Sequence, residues 1–225
     1  MKILFLGQEK CMYGPSAVAK LRRLGHEVLY VKSKNRHQEI PIEVLEWSGD
    51  YLLSFRTHFI IKNNVFKNVS KYSINFHPGP LDHPGSGSIN FALLENNTKY
   101  GVTAHLMTEH VDNGSILKTI TFDISNEYTL DVLLNETHFY CYTLINLFID
   151  GITNEGEEFI LRHLTDSKNL KWLNKPRRIK ELDEIQKIDC NISIENLNHI
   201  IRATYNPNFP PYILLHGYKF NLTIK

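Results

Sequence analysis

Apolar positions along the first third of the chain predict strands and helices in alternation. Residues 2–6 form a continuous apolar run ending at Gly7, which is typical of a central strand buried on both faces. Residues 26–31 predict a second strand. Between the two, apolar side chains recur at helical spacing up to Gly25, at Ala17, Val18, Leu21 and Leu24. The chain therefore opens with a strand–helix–strand unit, whose crossover is expected to be right-handed.

Two further strands, at residues 50–55 and 73–77, extend this unit into a parallel α/β series. Because side chains alternate along a strand, Asn75 and His77 share one face and their apolar neighbours share the other. Polar residues that end a parallel strand lie where open α/β sheets bind ligands. The first loop lacks the G-x-G-x-x-G pattern, so a nicotinamide cofactor is not expected.

A hairpin is predicted from residue 101 onward. Residues 101–107 alternate in polarity, and residues 115–122 form a second strand pattern. Asn113 and Gly114 lie between them, and Asn-Gly is a strong signal for a two-residue hairpin turn. Asp112 directly precedes this dipeptide, so we expect it at a tight, fixed turn.

The second half of the chain predicts one long helix followed by less regular structure. The helix covers residues 130–148 and should pack across the sheet; its stripe is Leu130, Leu133, Leu134, Thr137, Cys141, Leu144, Ile145 and Phe148. Residues 172–178 predict a linker, residues 193–203 a helix and residues 212–224 a terminal hairpin with one apolar face. We divide the chain into a core, 1–150, and an appendage of helices and a β-hairpin, 151–225.

Composition excludes several classes of protein. The 225 residues include 25 Lys and Arg against 24 Asp and Glu. The resulting net charge of +1 does not indicate a protein that binds a long nucleic acid. Cys11, Cys141 and Cys190 show no C-x-x-C spacing, which suits reduced thiols in a cytoplasmic protein. The apolar runs of the sequence predict neither a secretory signal nor a membrane-spanning helix, so we expect no membrane partner.

Three linked motifs carry a family resemblance. They are N-x-H-P at residues 75–78, G-V-T-x-H at residues 101–105 and V-D-x-G at residues 111–114. In their order and spacing they resemble the folate-dependent formyltransferase family, and three linked motifs are far more specific than one. The resemblance covers roughly residues 1–125. It implies an α/β fold with a Rossmann-like core and a mostly parallel sheet, N10-formyltetrahydrofolate as formyl donor, and no metal.

By this resemblance the catalytic residues are Asn75, His77 and Asp112, and their chemistry suits the role. An Asn75 amide can donate to a developing oxyanion, a contribution worth about 10²–10³ in rate. His77 can accept and return a proton, worth about 10²–10⁴, while Asp112 orients its ring. Taken singly, Asn75 and His77 can equally be polar residues that close a strand, and Asp112 a residue chosen for a turn.

The resemblance also implies residues that bind the two substrates. For the folate they are Arg56, His58, Phe59 and Val111, although the segment after the third strand can equally be a solvated loop. For the acceptor we expect Lys10, His83, Gly85, Ser86 and Tyr205, of which Lys10 can be merely solvated and Tyr205 can be packing for the hairpin.

A zinc site is the alternative use of the histidines in this region. His77, His83, His105 and His110 lie near Asp82, but none has tight ligand spacing. In an uninterrupted strand His105 and His110 would also face opposite ways. We therefore expect no metal site.

The choice of acceptor depends on parts of the chain outside the three motifs. Methionyl-tRNA formyltransferases resemble this chain in the core but carry a C-terminal β-barrel, and the hydrolase branch adds an N-terminal domain; we expect neither here. The loop after N-x-H-P and the I-R-A-T-Y-N-P-N-F-P-P-Y stretch look most like nucleotide-sugar N-formyltransferases of the GDP-perosamine type. That resemblance implies a nucleotide-linked 4-amino-4,6-dideoxy sugar, a homodimer and a role in surface polysaccharide such as O-antigen or lipopolysaccharide. The alternatives are a methionyl-tRNA formyltransferase-like or formyltetrahydrofolate hydrolase activity, or a non-catalytic folate- or nucleotide-binding homologue.

Overall fold

The computed structural model describes residues 1–36 and 38–224 as a mixed α/β fold with a small terminal hairpin. The strands are β1 (Lys2–Gln8), β2 (Glu27–Ser33), β3 (Gly49–Phe55), β4 (Val69–His77), β5 (Lys99–Leu106), β6 (Ile116–Asp123), β7 (Tyr212–Leu215) and β8 (Tyr218–Asn221). The helices are α1 (Tyr13–Arg23), α2 (Ile42–Leu45), α3 (Asn63–Phe66), α4 (Ser88–Leu94), α5 (Leu130–Asn154), α6 (Glu157–Asp166), α7 (Ile179–Gln186) and α8 (Ile194–Thr204).

The first six strands form one sheet in the order β2-β1-β3-β4-β5-β6. The pairs from β2 to β4 are parallel, whereas β4–β5 and β5–β6 are antiparallel. The predicted Rossmann-like fold with a mostly parallel sheet is confirmed, and β7 and β8 form the predicted separate antiparallel hairpin.

Both faces of the parallel part are buried, as the continuous apolar run of β1 predicted. Ile3 and Phe5 enter a core that α1 and α5 cover, while Leu4 and Leu6 enter a second core. The second core lies against the short helices, and Val44 and Val65 belong to it; the alternation follows from the period of two along a strand. Ile74 and Phe76 of β4 enter the α5 side, which leaves Asn75 and His77 for the other face.

Helix α5 packs across the sheet as its stripe predicted, and it begins at a capped residue. The Thr129 hydroxyl accepts a hydrogen bond from the Val132 amide, and Leu133, Cys141 and Leu144 are buried in the two cores that α5 lines. The helix continues beyond residue 150 to Asn154, so the division at 150 falls inside a continuous helix and the two parts share it.

The connection between β5 and β6 differs from the predicted two-residue turn. The Leu106 amide bonds to the Ser115 carbonyl, and residues 107–115 form a long loop between the strands. A bulge at Ala104 and His105 shifts the register of the hairpin, and Asp112 takes a φ of 44° in the loop. The expectation of a tight Asn-Gly turn is therefore wrong, because the loop instead bends Asp112 back toward β4.

The predicted linker at residues 172–178 is a fixed part of the fold. The Leu173 amide bonds to the Leu81 carbonyl at 3.0 Å, and the amide of Arg177 bonds to the Pro84 carbonyl at 3.0 Å. The Ser86 amide in turn bonds to the Arg177 carbonyl at 2.9 Å. We call residues 172–177 the strap, because they run along the loop of residues 81–86. Helix α7, which follows the strap, was not predicted.

Candidate active site

A cleft of about 550 Å³ opens at the carboxyl ends of the parallel strands. Gln8 at the end of β1, Arg56 after β3 and His77 at the end of β4 all line it. This is the edge at which open α/β sheets bind ligands, because the loops that follow the strands converge there. Residues of the β5–β6 loop and the start of α4 form the remaining walls.

The three residues predicted as catalytic lie together in this cleft. The Asp112 Oδ2 atom lies 3.1 Å from His77 Nδ1, and Asp112 Oδ1 lies 3.4 Å from Asn75 Nδ2. The period of β4 places Asn75 and His77 on one face, and the loop after β5 carries Asp112 to them. His77 and Asp112 are both almost fully buried, so this contact is made away from bulk water.

Asp112 is held by more than His77. The backbone amide of Gly85 donates to Asp112 Oδ2 at 2.7 Å, and His105 Nε2 lies 3.2 Å from Asp112 Oδ1. Burial raises the pKa of Asp112, but the His77 charge, the His105 hydrogen bond and charge, and the Gly85 amide together lower that pKa from 3.8 to about 2. The carboxylate is therefore ionised at neutral pH in spite of its burial.

Asn75 is fixed from two neighbouring strands. Ser54 of β3 donates to Asn75 Oδ1 at 2.7 Å, and Asn75 Nδ2 lies 3.0 Å from His105 Nε2 of β5. Asn75 and His105 are direct cross-strand partners in the β4–β5 ladder, which brings their side chains together. The amide of Asn75 therefore has a fixed orientation, with its nitrogen on the side of Asp112.

His77 has an oxygen acceptor at each ring nitrogen. Its Nδ1 faces Asp112, and its Nε2 lies 3.1 Å from the backbone carbonyl oxygen of His83. An imidazolium, which carries hydrogen on both nitrogens, satisfies both acceptors. The geometry therefore suits a ring that takes up a proton during a reaction.

The residues predicted to bind folate all line the cleft. Arg56 has a φ of 57° and directs a guanidinium nitrogen to within 3.6 Å of Cys11 Sγ. His58 lies 2.9 Å from the Gln8 amide nitrogen, and burial, with the charges of Arg36 and Arg56, lowers its pKa. Phe59 is buried in the wall, and Val111 is half exposed on the loop that carries Asp112.

The residues predicted to bind the acceptor divide into two groups. Gly85 and Ser86 line the cleft, and the Arg36 guanidinium donates to the Ser86 hydroxyl at 2.9 Å. Lys10 is exposed, and Lys10, Tyr205 and the His83 ring are not part of the cleft lining. The backbone of His83 nevertheless contributes to the site through its carbonyl contact with His77.

The His83 ring is packed in the interior behind the cleft. Its Nε2 lies 2.8 Å from the Asn97 amide nitrogen, and the ring lies beside Tyr100. Burial lowers the pKa of His83, and the charges of Arg177 and His77 add to this, whereas Asp82 and Glu95 oppose it.

Three residues at the site were missed by the sequence prediction as functional groups. His105 was considered only as a zinc ligand, although the G-V-T-x-H motif and the pairing of β4 with β5 could have indicated it. His138 of α5 lines the cleft, and burial, then the charge of Arg56, lowers its pKa to about 3. Trp172 contacts His77 and His105 from the strap, and no local pattern could have placed it there.

The described part of the chain shows neither a metal cluster nor a helix that could cross a membrane. Within residues 1–36 and 38–224, no group of three or more His, Cys, Asp or Glu side chains is arranged to hold a metal ion. Across the same residues, no helix has both the length and the apolar character that crossing a bilayer requires.

Comparison with known proteins assigns the class. The family model described as formyl transferase matches residues 6–146, which include the three residues predicted as catalytic. The chain therefore belongs to the formyl transferase family, and the resemblance of its three motifs is confirmed. A methionyl-tRNA formyltransferase from Buchnera aphidicola subsp. Acyrthosiphon pisum is 28% identical over 167 residues, covering 73% of this chain. The chain spans 50% of that relative's length.

Solved structures share the fold along nearly the whole chain. A sugar N-formyltransferase from Shewanella sp. FDAARGOS_354 has a TM-score of 0.73 at 18% identity and covers 100% of this chain and 97% of its own. A 4-N formyltransferase from Francisella tularensis has a TM-score of 0.73 at 17% identity, and the match covers 100% of this chain and 97% of that one. The sugar 3N-formyl transferase WlaRD, solved in the presence of dTDP and 5-N-formyl-THF, has a TM-score of 0.72 at 17% identity. That match covers 97% of this chain and 84% of that one. At these identities the likeness shows a shared fold.

Proposed function

We propose that this protein transfers a formyl group from N10-formyltetrahydrofolate to the C4 amine of a nucleotide-linked 4-amino-4,6-dideoxy sugar. The observation that carries the proposal is the buried contact of Asp112 with His77 and Asn75 at the end of β4. Formyl transfer needs a proton acceptor for the attacking amine, a donor for the developing oxyanion and a fixed geometry between them. These three side chains supply all of these requirements within one cleft.

Each residue has one role in this proposal. His77 accepts the proton of the attacking amine and returns it to the leaving nitrogen. Asn75 donates from its amide to the formyl oxygen as negative charge develops there. Asp112 orients the His77 ring through Nδ1 and compensates the positive charge that the ring acquires. His105 and Gly85 hold the carboxylate in that position.

The cleft fits a flat, partly apolar formyl donor on one side. Apolar side chains that line it there are Phe59, Ile60, Ile61, Met107 and Val111. Pockets for such ligands are mostly apolar with a few placed polar groups, and Asn75, His77 and Asp112 are the polar groups beside this wall. The donor supplies a formyl group that is already activated on nitrogen, so no metal and no covalent enzyme intermediate is required.

Charge in the cleft favours an anionic acceptor. Arg36 and Arg56 line it, and its acidic residues are Asp112 and Glu109, of which Asp112 faces His77 and His105. Guanidinium groups match phosphate geometry, which suits the diphosphate of a nucleotide sugar. Two solved sugar N-formyltransferases also share the fold, each with a TM-score of 0.73.

A GDP-linked sugar such as GDP-perosamine is the first acceptor to test, with dTDP-linked 4-amino and 3-amino sugars beside it. Purified protein is incubated with N10-formyltetrahydrofolate and each nucleotide sugar, and the acceptor's mass is measured. We expect a gain of one formyl group on a 4-amino sugar. If no nucleotide sugar gains the mass of a formyl group, the proposed acceptor is wrong. Full activity in His77→Asn would contradict the proposed mechanism. His216→Asn, on the exposed hairpin turn, is the matched control.

The second candidate acceptor is methionyl-tRNA, which the 28% identical relative's name favours. The same assay with charged initiator tRNA distinguishes the two, because formyl-methionyl-tRNA forms only if the tRNA is a substrate. Release of formate without any acceptor would instead indicate formyltetrahydrofolate hydrolysis, and folate binding without turnover would indicate a non-catalytic homologue.

We also propose a cytoplasmic homodimer that acts in surface-polysaccharide synthesis. Tyr218, Phe220 and Ile224 of the terminal hairpin are more than half exposed, and such apolar faces are commonly covered by a partner. Light scattering of wild-type protein and of Phe220→Glu tests this: we expect a dimer that Phe220→Glu dissociates. A monomeric wild-type protein would contradict the proposal.

A further inference from the structure

The indole of Trp172 contacts both imidazoles of the proposed catalytic site. Its ring lies 5.7 Å from the His77 ring at an interplanar angle of 80°, and 5.1 Å from the His105 ring at 87°. Its Nε1 donates to the Gly114 carbonyl at 3.1 Å, in the loop that carries Asp112. One side chain therefore contacts the two rings that bind the Asp112 carboxylate and the loop that delivers it.

We propose that Trp172 is a positioning residue for formyl transfer, which fixes the His77 and His105 rings around Asp112 and keeps water from them. Edge-to-face aromatic pairs are directional, so the indole restricts the rotation of both imidazoles. Excluding water on this side lowers the local dielectric, which strengthens the contact of Asp112 with His77. Trp172 acts through these residues and has no contact with the reacting atoms in this proposal.

The strap is the reason that Trp172 stays in place. Its backbone bonds to the loop of residues 81–86 run from Leu173 to Arg177, and Asn174 Nδ2 donates to the Asp82 carbonyl at 2.6 Å. That same loop supplies the Gly85 amide to Asp112 and the His83 carbonyl to His77. The strap therefore fixes the indole and the loop as one unit, although it lies about a hundred residues beyond β4 in the chain.

The kinetic test compares Trp172→Ala and Trp172→Phe with Leu173→Ala, whose side chain is 71% exposed. We expect Trp172→Ala to lower kcat by about 10²-fold with KM for both substrates little changed, because misplaced groups cost rate rather than binding. Trp172→Phe, which keeps ring packing but not the bond to Gly114, should recover part of the loss. Leu173→Ala should match the wild type. Equal losses in kcat and in the folded fraction would overturn the proposal.

A spectroscopic test separates this inference from the proposed function on which it rests. The chain has two tryptophans, so the emission of the wild type minus that of Trp172→Phe reports Trp172. We expect the same difference, measured in the His77→Gln/His105→Gln background, to change in intensity and wavelength, because the indole loses both imidazole contacts there. An unchanged difference would overturn the positioning role. A changed difference without formyl transfer to any acceptor in the wild type would sustain the contact and reject the function.

Discussion

Asp112 binds His105 through the carboxylate oxygen that His77 does not use. His105 Nε2 lies 3.2 Å from Oδ1, whereas His77 Nδ1 lies 3.1 Å from Oδ2. The carboxylate therefore lies between two imidazoles, one at the end of β4 and one on β5. This arrangement explains how a buried carboxyl group stays ionised, because two histidines and a backbone amide stabilise its charge.

Replacing Asp112 by Asn should remove the charge and keep the shape. Asparagine tolerates the φ of 44° at this position, so the loop should retain its path. We expect kcat to fall by about 10²–10⁴ with little change in KM, because His77 loses the group that orients it. Steady-state kinetics and circular dichroism measure activity and fold. Asp82→Asn, a nearby carboxylate outside the cleft lining, is the matched control, and a near-wild-type kcat in Asp112→Asn would contradict the assignment.

Acid should destabilise the fold through Asp112. Its pKa is about 2 in the folded protein and 3.8 as the ordinary value, so its stabilising contribution is complete above about pH 4 and is lost as the pH falls through about 2. The contribution amounts to roughly 2 kcal/mol. Urea unfolding of wild type and Asp112→Asn at about pH 5 and about pH 2 measures it. The difference in unfolding free energy between the two proteins should shrink at the lower pH. A constant difference would show that the ionised Asp112 carboxylate does not stabilise the fold.

Much of the fold follows from local patterns in the sequence. The run of β1 is apolar on both faces because both faces are covered, and the stripe of α5 buries Leu133, Cys141 and Leu144. The alternation along β4 likewise predicted that Asn75 and His77 would share a face. These features depend on the periods of helix and strand, which a sequence shows directly.

The missed features depend on contacts between distant segments. The β5–β6 loop does not turn at Asn113-Gly114, because Trp172 and Gly85 hold Gly114 and Asp112 from outside the hairpin. Trp172 lies in a segment whose local pattern indicated only a linker. Its role comes from backbone bonds to the loop of residues 81–86, which no periodicity records. Tertiary contacts of this kind decide the geometry of the site, whereas the motifs identify its main residues.

The hydroxyl of Ser54 should matter for rate more than for binding. It donates to Asn75 Oδ1 at 2.7 Å, and both residues line the cleft. In Ser54→Ala the Asn75 oxygen loses its donor, so the amide can rotate away from the position in which its nitrogen faces His105 and Asp112. We expect kcat to fall by about tenfold, with KM unchanged. Exposed Ser125→Ala serves as the control, and a Ser54→Ala effect confined to KM would contradict the role.

Gly85 offers the sharpest test of the contact between the strap and the site. It has a φ of 88°, and a Cβ at this position would meet the backbone nitrogen and oxygen of Arg177. Gly217 has a similar φ of 86° on the exposed hairpin, but there a Cβ would meet nothing within 4 Å. An alanine at either position carries the same backbone strain of about 1–2 kcal/mol, so Gly217→Ala measures strain alone.

Gly85→Ala should therefore lower the unfolding free energy by more than Gly217→Ala, because the strap must also move away from the added methyl group. That movement shifts the Gly85 amide from Asp112 and displaces Trp172, so kcat should fall in Gly85→Ala and stay at the wild-type value in Gly217→Ala. Urea unfolding and steady-state kinetics on the two variants give both quantities. If the two variants lose stability equally and keep equal kcat values, the strap does not hold the loop that carries Asp112 in the way that these contacts indicate.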